Sequence, residues 1–97
     1  MEVQFRSRKL QRCAERNAEA VREWGTVVGQ RYILRIQQLI AAPDVATLYR
    51  MRALDFHPLT GHRASQHALR LTGRMRLIVT VEDERTIRID EVVVYHD

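Results

Sequence analysis

Side chains that could bind and process a polyanion are concentrated in one acid-free window of this 97-residue sequence. No acidic residue lies between Asp55 and Glu82, yet the window holds four arginines and three of the four histidines. An arginine can donate two hydrogen bonds to one phosphate, and a histidine exchanges a proton near neutral pH. The window therefore favours nucleic acid over a membrane surface as the partner. Its members are His57, His62, Arg63, His67, Arg70, Arg74 and Arg76.

The rest of the composition limits the chemistry available. The net charge is +4, and all basic residues except Lys9 are arginine, a preference that codon bias could equally produce. No His, Cys or carboxylate pair shows metal-ligand spacing, so neither a metal nor a cofactor is expected. The lone Cys13 falls on the apolar side of a predicted helix and is interpreted as a core residue. Without a secretory pattern near Met1, a cytoplasmic location is expected.

Hydrophobic periodicity predicts a single α+β domain over residues 1–97. The element order is β-α-α-β-β-β, an N-terminal helical hairpin packed on one face of an antiparallel sheet, which leaves the other face open. Ser7 is the predicted cap of the first helix, Gly25 its end, and Pro43 ends the second helix. The predicted elements are a strand at 3–5, helices over 8–24 and 26–42, a short helical turn after Asp44, and strands over 54–57, 68–72, 75–81 and 86–96.

Strand alternation predicts which side chains share the open face. If Phe56 faces the core, His57 faces away from it. If Leu77 faces the core, Arg76 and Arg74 face away, and Arg70 leaves its own strand on the polar side. The last strand is ambiguous, because the register of Ile87 and Ile89 turns Glu91 and Tyr95 inward. A bulge near Asp90 would reverse that assignment, so the direction of His96 stays open.

Three motifs resemble the RelE/HigB toxins, and in particular the HigB or "killer protein" branch of the RelE/ParE superfamily. They are His57-Pro58-Leu59-Thr60-Gly61 followed by Arg63, the hairpin 69–78 (LRLTGRMRLI), and the terminal 92–96 (VVVYH). Length and element order fit this family over essentially the whole chain. Two positions depart from its pattern: Thr60 stands where the family has lysine, and Val94 where an acidic residue often precedes Tyr-His.

The resemblance implies a toxin of a type II toxin-antitoxin system that cleaves mRNA in the ribosomal decoding site without a metal. A ribose 2′-hydroxyl would attack the adjacent phosphate. On matching positions, the resemblance implies His57 and His96 as the proton-transfer pair, Arg76 as the phosphate-stabilising cation and Tyr95 as a base-stacking side chain. The cognate partner would be an antitoxin, expected to be a HigA-like helix-turn-helix protein. RNA contacts are expected at His62, Arg63, Arg70 and Arg74.

Other interpretations stay open at the level of sequence. His57 could be a loop-edge histidine bonded to a backbone carbonyl, and Arg70 and Arg76 could pair across strands with Asp55 or Asp90. A ParE-like toxin shares the fold but inhibits DNA gyrase by binding, and has no chemical need for His57, Tyr95 and His96. The chain could also be a catalytically silent interaction protein.

Overall fold

Five strands form one mixed sheet in the computed structural model, which describes residues 1–63 and 65–95. They are β1 (Glu2–Phe5), β2 (His57–Pro58), β3 (Gln66–Arg70), β4 (Met75–Asp83) and β5 (Thr86–Val94), in the order β1-β5-β4-β3-β2. The predicted α+β class is confirmed. The predicted sheet was purely antiparallel, whereas β1 runs parallel to β5 and all other neighbours are antiparallel. Element order alone does not specify the partner of the first strand.

The helices cover one face of this sheet. They are α1 (Arg8–Glu15), α2 (Asn17–Ala41) and α3 (Val45–Arg50). Ser7 and Asp44 cap α1 and α3 as predicted, because their side-chain oxygens accept hydrogen bonds from the amides of Leu10 and Thr47. Among the described residues, no helix has the length and apolar character needed to cross a membrane.

The predicted helical hairpin is present, but its first arm is interrupted. The sequence predicts one helix over 8–24, whereas Arg16 is extended (φ −131°, ψ 112°) and separates α1 from α2. The amphipathic pattern continues across this break, which is why periodicity does not reveal it. Gly25 has φ 84° and bends the chain inside α2, so it ends the first arm where the sequence places the end.

The two parts of α2, before and after Gly25, are in close backbone contact. A Cβ atom on Gly29 would lie 2.8 Å from the carbonyl carbon and oxygen of Ala20, so only glycine fits there. The hydroxyl of Tyr32 donates to the carbonyl of Leu10 at 2.8 Å, which joins α1 to the second arm. Cys13 is a buried core residue, as predicted.

The segment before His57 differs from its prediction. In place of a strand over 54–57, residues Arg52–Leu54 form a 3₁₀ turn and Asp55 adopts the left-handed region (φ 46°). Leu54 and Phe56 are both buried, as the period-two pattern predicts. The same pattern predicted the wrong backbone conformation. Only His57 and Pro58 pair with β3.

A bulge in β5 exchanges the two faces of the sheet on which the later side chains of that strand lie. Ile78 pairs with Glu91 and Val79 with Ile89, which leaves Asp90 as the extra residue. Asp90 and Glu91 therefore lie on the same, open side of the sheet. The bulge resolves the ambiguity of the last strand, and Tyr95 lies on the open face beside Arg76.

Candidate nucleic-acid site on the open sheet face

His57 lies on the open face, half-buried, where the alternation predicts it. Its Nδ1 is 2.7 Å from the carbonyl oxygen of Asp55. A carbonyl oxygen can only accept, so Nδ1 carries the proton and Nε2 of the neutral ring keeps its lone pair. The left-handed conformation of Asp55 turns that carbonyl toward the ring. The sequence-level alternative, a histidine bonded to a backbone carbonyl, is thus observed, and the bond leaves Nε2 as a proton acceptor.

The floor beside His57 is small and apolar. Cross-strand pairing aligns His57 with Ala68, Ala68 with Ile78, and Ile78 with Glu91. Paired residues project from the same side of a sheet, and each strand step is about 4.8 Å. Between His57 and Glu91 the open face is therefore a strip roughly 14 Å wide, whose surface is formed by the side chains of Ala68 and Ile78.

Arg76 is on the open face as predicted, but it is only 4% exposed. Its Nη1 donates to the carbonyls of Thr72 (2.7 Å) and Met75 (3.0 Å), which closes the β3–β4 turn. The ring of Tyr95, 44% exposed, covers the guanidinium at 4.2 Å in a cation–π contact. The Nε of Arg76 is buried with no hydrogen-bond partner among the described residues. In this conformation Arg76 supports both the turn and the ring of Tyr95.

The other predicted RNA-binding arginines have unequal surroundings. Arg63 donates to Glu91 at 3.2 Å, and Arg70 lies 3.7 Å from Asp55. Both pairs are about half exposed and hence weak. Arg74 is exposed on the β3–β4 turn and forms no ion pair with any residue that the structure describes. Of the window's four arginines, Arg74 is the cation most available to an external phosphate.

A polar network that the sequence did not predict fills the far end of the open face. The buried carboxylate of Asp90 accepts from Thr80 (2.5 Å), Gln66 (2.9 Å) and Arg88 (2.8 Å). Burial raises the pKa of Asp90, but the three hydrogen bonds outweigh it and lower the pKa below its ordinary value. Arg88 also donates to Glu82. Here one cation, Arg88, pairs with two carboxylates, so this end carries a net negative charge, and free positive charge remains at the β3–β4 turn.

Two arginines of α2 attach the helical layer to the end of β3 and the residue after it. Arg35, almost fully buried, donates to the carbonyl of Arg70 at 2.8 Å, and Arg31 donates to that of Leu71 at 3.1 Å. Burial lowers the pKa of Arg35, which has only neutral acceptors. The sequence carried no signal for this role, because arginine in an amphipathic helix normally indicates an exposed position.

His67, another histidine of the acid-free window, does not join His57 on this face. His67 is buried on the helix-covered side, paired across strands with Val79, so it cannot contact phosphate there. Burial and the nearby His57 lower the pKa of His67. The side chain of His62 and all of His96 lie outside the described residues. Over residues 1–63 and 65–95, no group of three or more potential ligands could hold a metal ion.

The chain has the RelE-like toxin fold, which several solved structures share. The YoeB/ParE toxin from Agrobacterium tumefaciens superposes with a TM-score of 0.59 at 14% identity, covering 99% of this chain and 100% of its own. YafQ from Escherichia coli gives 0.56 at 11% identity, covering 96% and 91%. YoeB in the YoeB–YefM complex from Staphylococcus aureus gives 0.54 at 18% identity, covering 100% and 98%. No family model matches the sequence, and no curated protein matches it. At these identities the similarity concerns the fold.

Proposed function

We propose that this protein is the toxin of a type II toxin-antitoxin system and acts as a metal-independent endoribonuclease on ribosome-bound mRNA. The observation that carries the proposal is the state of His57 on the open face, whose Nδ1–H is held by a carbonyl, which leaves Nε2 as a proton acceptor. The fold shared with YoeB, ParE and YafQ toxins supports the toxin class. The HigB branch remains part of the proposal, based on the sequence motifs.

The proposed reaction needs a base, an acid and charge stabilisation. His57 Nε2 removes the proton of a ribose 2′-hydroxyl, and the 2′-oxygen forms a bond to the adjacent phosphorus. The bond from phosphorus to the 5′-oxygen breaks, and that oxygen receives a proton from His96. The products are a 2′,3′-cyclic phosphate and a 5′-hydroxyl. A histidine suits both transfers because it changes charge near neutral pH.

Arg74, Arg76 and Tyr95 would act together on the substrate. An unstacked base can pack on the exposed ring of Tyr95, as aromatic side chains pack on single-stranded RNA. Phosphate can reach the guanidinium of Arg76 only if that ring moves aside, since the ring covers it at 4.2 Å. Stacking on a base would draw the ring away. Arg74, already exposed, would bind phosphate first.

The partners follow from the same proposal. The Staphylococcus aureus neighbour was solved as a YoeB–YefM complex, which supports a small proteinaceous antitoxin for this chain too. A HigA-like helix-turn-helix protein is the form we propose, and a cytoplasmic location follows from a ribosomal target. Pull-down of the chain expressed from its native operon should recover that small partner.

The decisive experiment is primer extension on a model mRNA in a purified translation system, with and without ribosomes. We expect cleavage only with ribosomes, and a loss of about 10² to 10⁴ in rate for His57→Ala. Circular dichroism must show that the variant is folded. Intact mRNA together with blocked gyrase would instead assign the chain to the ParE-like class. Intact mRNA with free gyrase would leave a catalytically silent binding protein.

A further inference from the structure

Three aromatic rings form a cluster on the helix-covered side of the sheet, directly behind His57. The rings of Phe56 and His67 are stacked, with centroids 4.6 Å apart and planes at 15°. Tyr49, from α3, meets Phe56 edge-on at 4.8 Å. Its hydroxyl lies 2.7 Å from Nε2 of His67. Phe56 is therefore held between two rings that are themselves joined by a hydrogen bond.

The strand that carries His57 has little else to hold it. β2 contains only two residues, one of them Pro58, which has no N–H to donate. The residue before Phe56 is Asp55 in the left-handed region, a conformation that non-glycine residues rarely adopt and that surrounding structure must maintain. The carbonyl of Asp55 fixes the proton on His57 Nδ1. Because Phe56 lies between these two residues in the chain, a shift of Phe56 would move both partners of that hydrogen bond.

The hydrogen bond from Tyr49 is important to His67. Within the described part of the chain, the contact between Nε2 and the hydroxyl of Tyr49 is the ring's one side-chain hydrogen bond. Without it, Nε2 of the buried ring would lose its partner, which is costly. The ring would then turn toward solvent, and the stacking that holds Phe56 would loosen.

We propose that Tyr49 and His67 are positioning residues for His57. They hold the Phe56 ring, and thereby keep the carbonyl of Asp55 on Nδ1, which leaves Nε2 as the proton acceptor. The catalytic consequence rests on the function proposed above, whereas the positioning of His57 is a property of the free protein. The two can be tested separately.

The first test measures the tautomer of His57 by ¹⁵N nuclear magnetic resonance of the free protein at about pH 8, where an ordinary histidine is neutral. We expect the Nδ1–H form in the wild type and a mixture of both tautomers in Tyr49→Phe, which keeps the ring and removes the hydroxyl. The matched control is Tyr32→Phe, which deletes the buried hydrogen bond from Tyr32 to the carbonyl of Leu10. The control should lower stability and leave the His57 signals unchanged. An unaltered His57 tautomer in Tyr49→Phe would overturn the proposal.

The second test is a double-mutant cycle in the ribosome cleavage assay. Tyr49→Phe should lower kcat about tenfold with little change in KM, because misplacing a catalytic group affects the chemical step. In the His57→Ala background the same substitution should have no further effect. An equal loss in both backgrounds would show that Tyr49 acts only through stability, and would contradict positioning. If the wild type does not cleave RNA, the proposed function fails, while the resonance experiment still decides the positioning of His57.

Discussion

Replacing Asp90 with asparagine tests whether the buried carboxylate in the bulge stabilises the fold. The carboxylate accepts three hydrogen bonds, from Thr80, Gln66 and Arg88. The side-chain amide of asparagine has one acceptor oxygen and an NH₂ group that only donates, so the NH₂ group must face either Gln66 or Arg88, both of which donate. One of these two donors then loses its acceptor, whichever way the amide is oriented.

The expected cost is about 2–3 kcal/mol in the free energy of unfolding, the range for hydrogen bonds to a charged group. Values above this are not expected, because the side chain of Arg88 is partly exposed and water can replace its lost partner. For a domain of this size such a loss lowers the Tm by roughly 10–20 °C. The matched control is Glu82→Gln, which removes the other carboxylate on Arg88, at 3.1 Å. That pair is exposed, so the control should cost less than about 1 kcal/mol.

Urea denaturation followed by circular dichroism provides the assay, repeated across acid pH. The pKa of Asp90 is lowered in the folded state, so its contribution is fully present above its ordinary value of 3.8. It is lost as the pH falls below that value, through the folded-state pKa. The difference between wild type and Asp90→Asn should therefore shrink in acid. Equal unfolding free energies for Asp90→Asn and Glu82→Gln at pH 7 would refute this reasoning.

Three further predictions concern other parts of the molecule. Gly29→Ala should destabilise the protein by about 1–2 kcal/mol, because overpacking against the Ala20 backbone outweighs the gain in helix propensity. The control is Gly73→Ala, whose Cβ would meet nothing within 4 Å, and its unfolding free energy should change by no more than about 0.5 kcal/mol. Calorimetry compares the two variants. Burial lowers the pKa of His67, so the unfolded state binds more protons than the folded state as the pH falls below the ordinary value of 6.5. The unfolding free energy of the wild type should therefore decline as the pH falls below 6.5. The unfolding free energy of His67→Phe should decline less over the same pH range. Arg74→Ala should weaken RNA binding and reduce the slope of log affinity against log salt by about 1, whereas Arg63→Ala, which removes a cation already paired with Glu91, should change that slope less. Equal slopes for the two variants would contradict the greater availability of Arg74.

Local sequence patterns were sufficient to place His57. The alternation of Phe56 and His57 predicted that their side chains lie on opposite faces of the sheet. Both positions are correct, although the backbone before them is a 3₁₀ turn and not a strand. Burial depends on which positions are apolar, so it can be read without the correct dihedral angles. The caps at Ser7 and Asp44 were predictable for a similar reason, because each bond lies within three residues.

Features that depend on distant residues could not be predicted. The bulge at Asp90 depends on partners on two other strands, Gln66 on β3 and Thr80 on β4, and only the misplaced Glu91 indicated that some irregularity was needed. The buried position of Arg76 depends on Tyr95 and on the shape of a turn, neither visible in the alternation of β4. The parallel pairing of β1 has no local signature at all.

The position of β1 in the sheet affects when the molecule can fold during its synthesis. Glu2 pairs with Thr86, more than eighty positions later, and β5 is an interior strand flanked by β1 and β4. A nascent chain that ends before β5 lacks the partner of β1 and one neighbour of β4. Such long-range pairing makes folding slow and late compared with a helical bundle. Because Tyr95 follows directly after β5, the open face beside His57 is completed only after residue 95 has been translated.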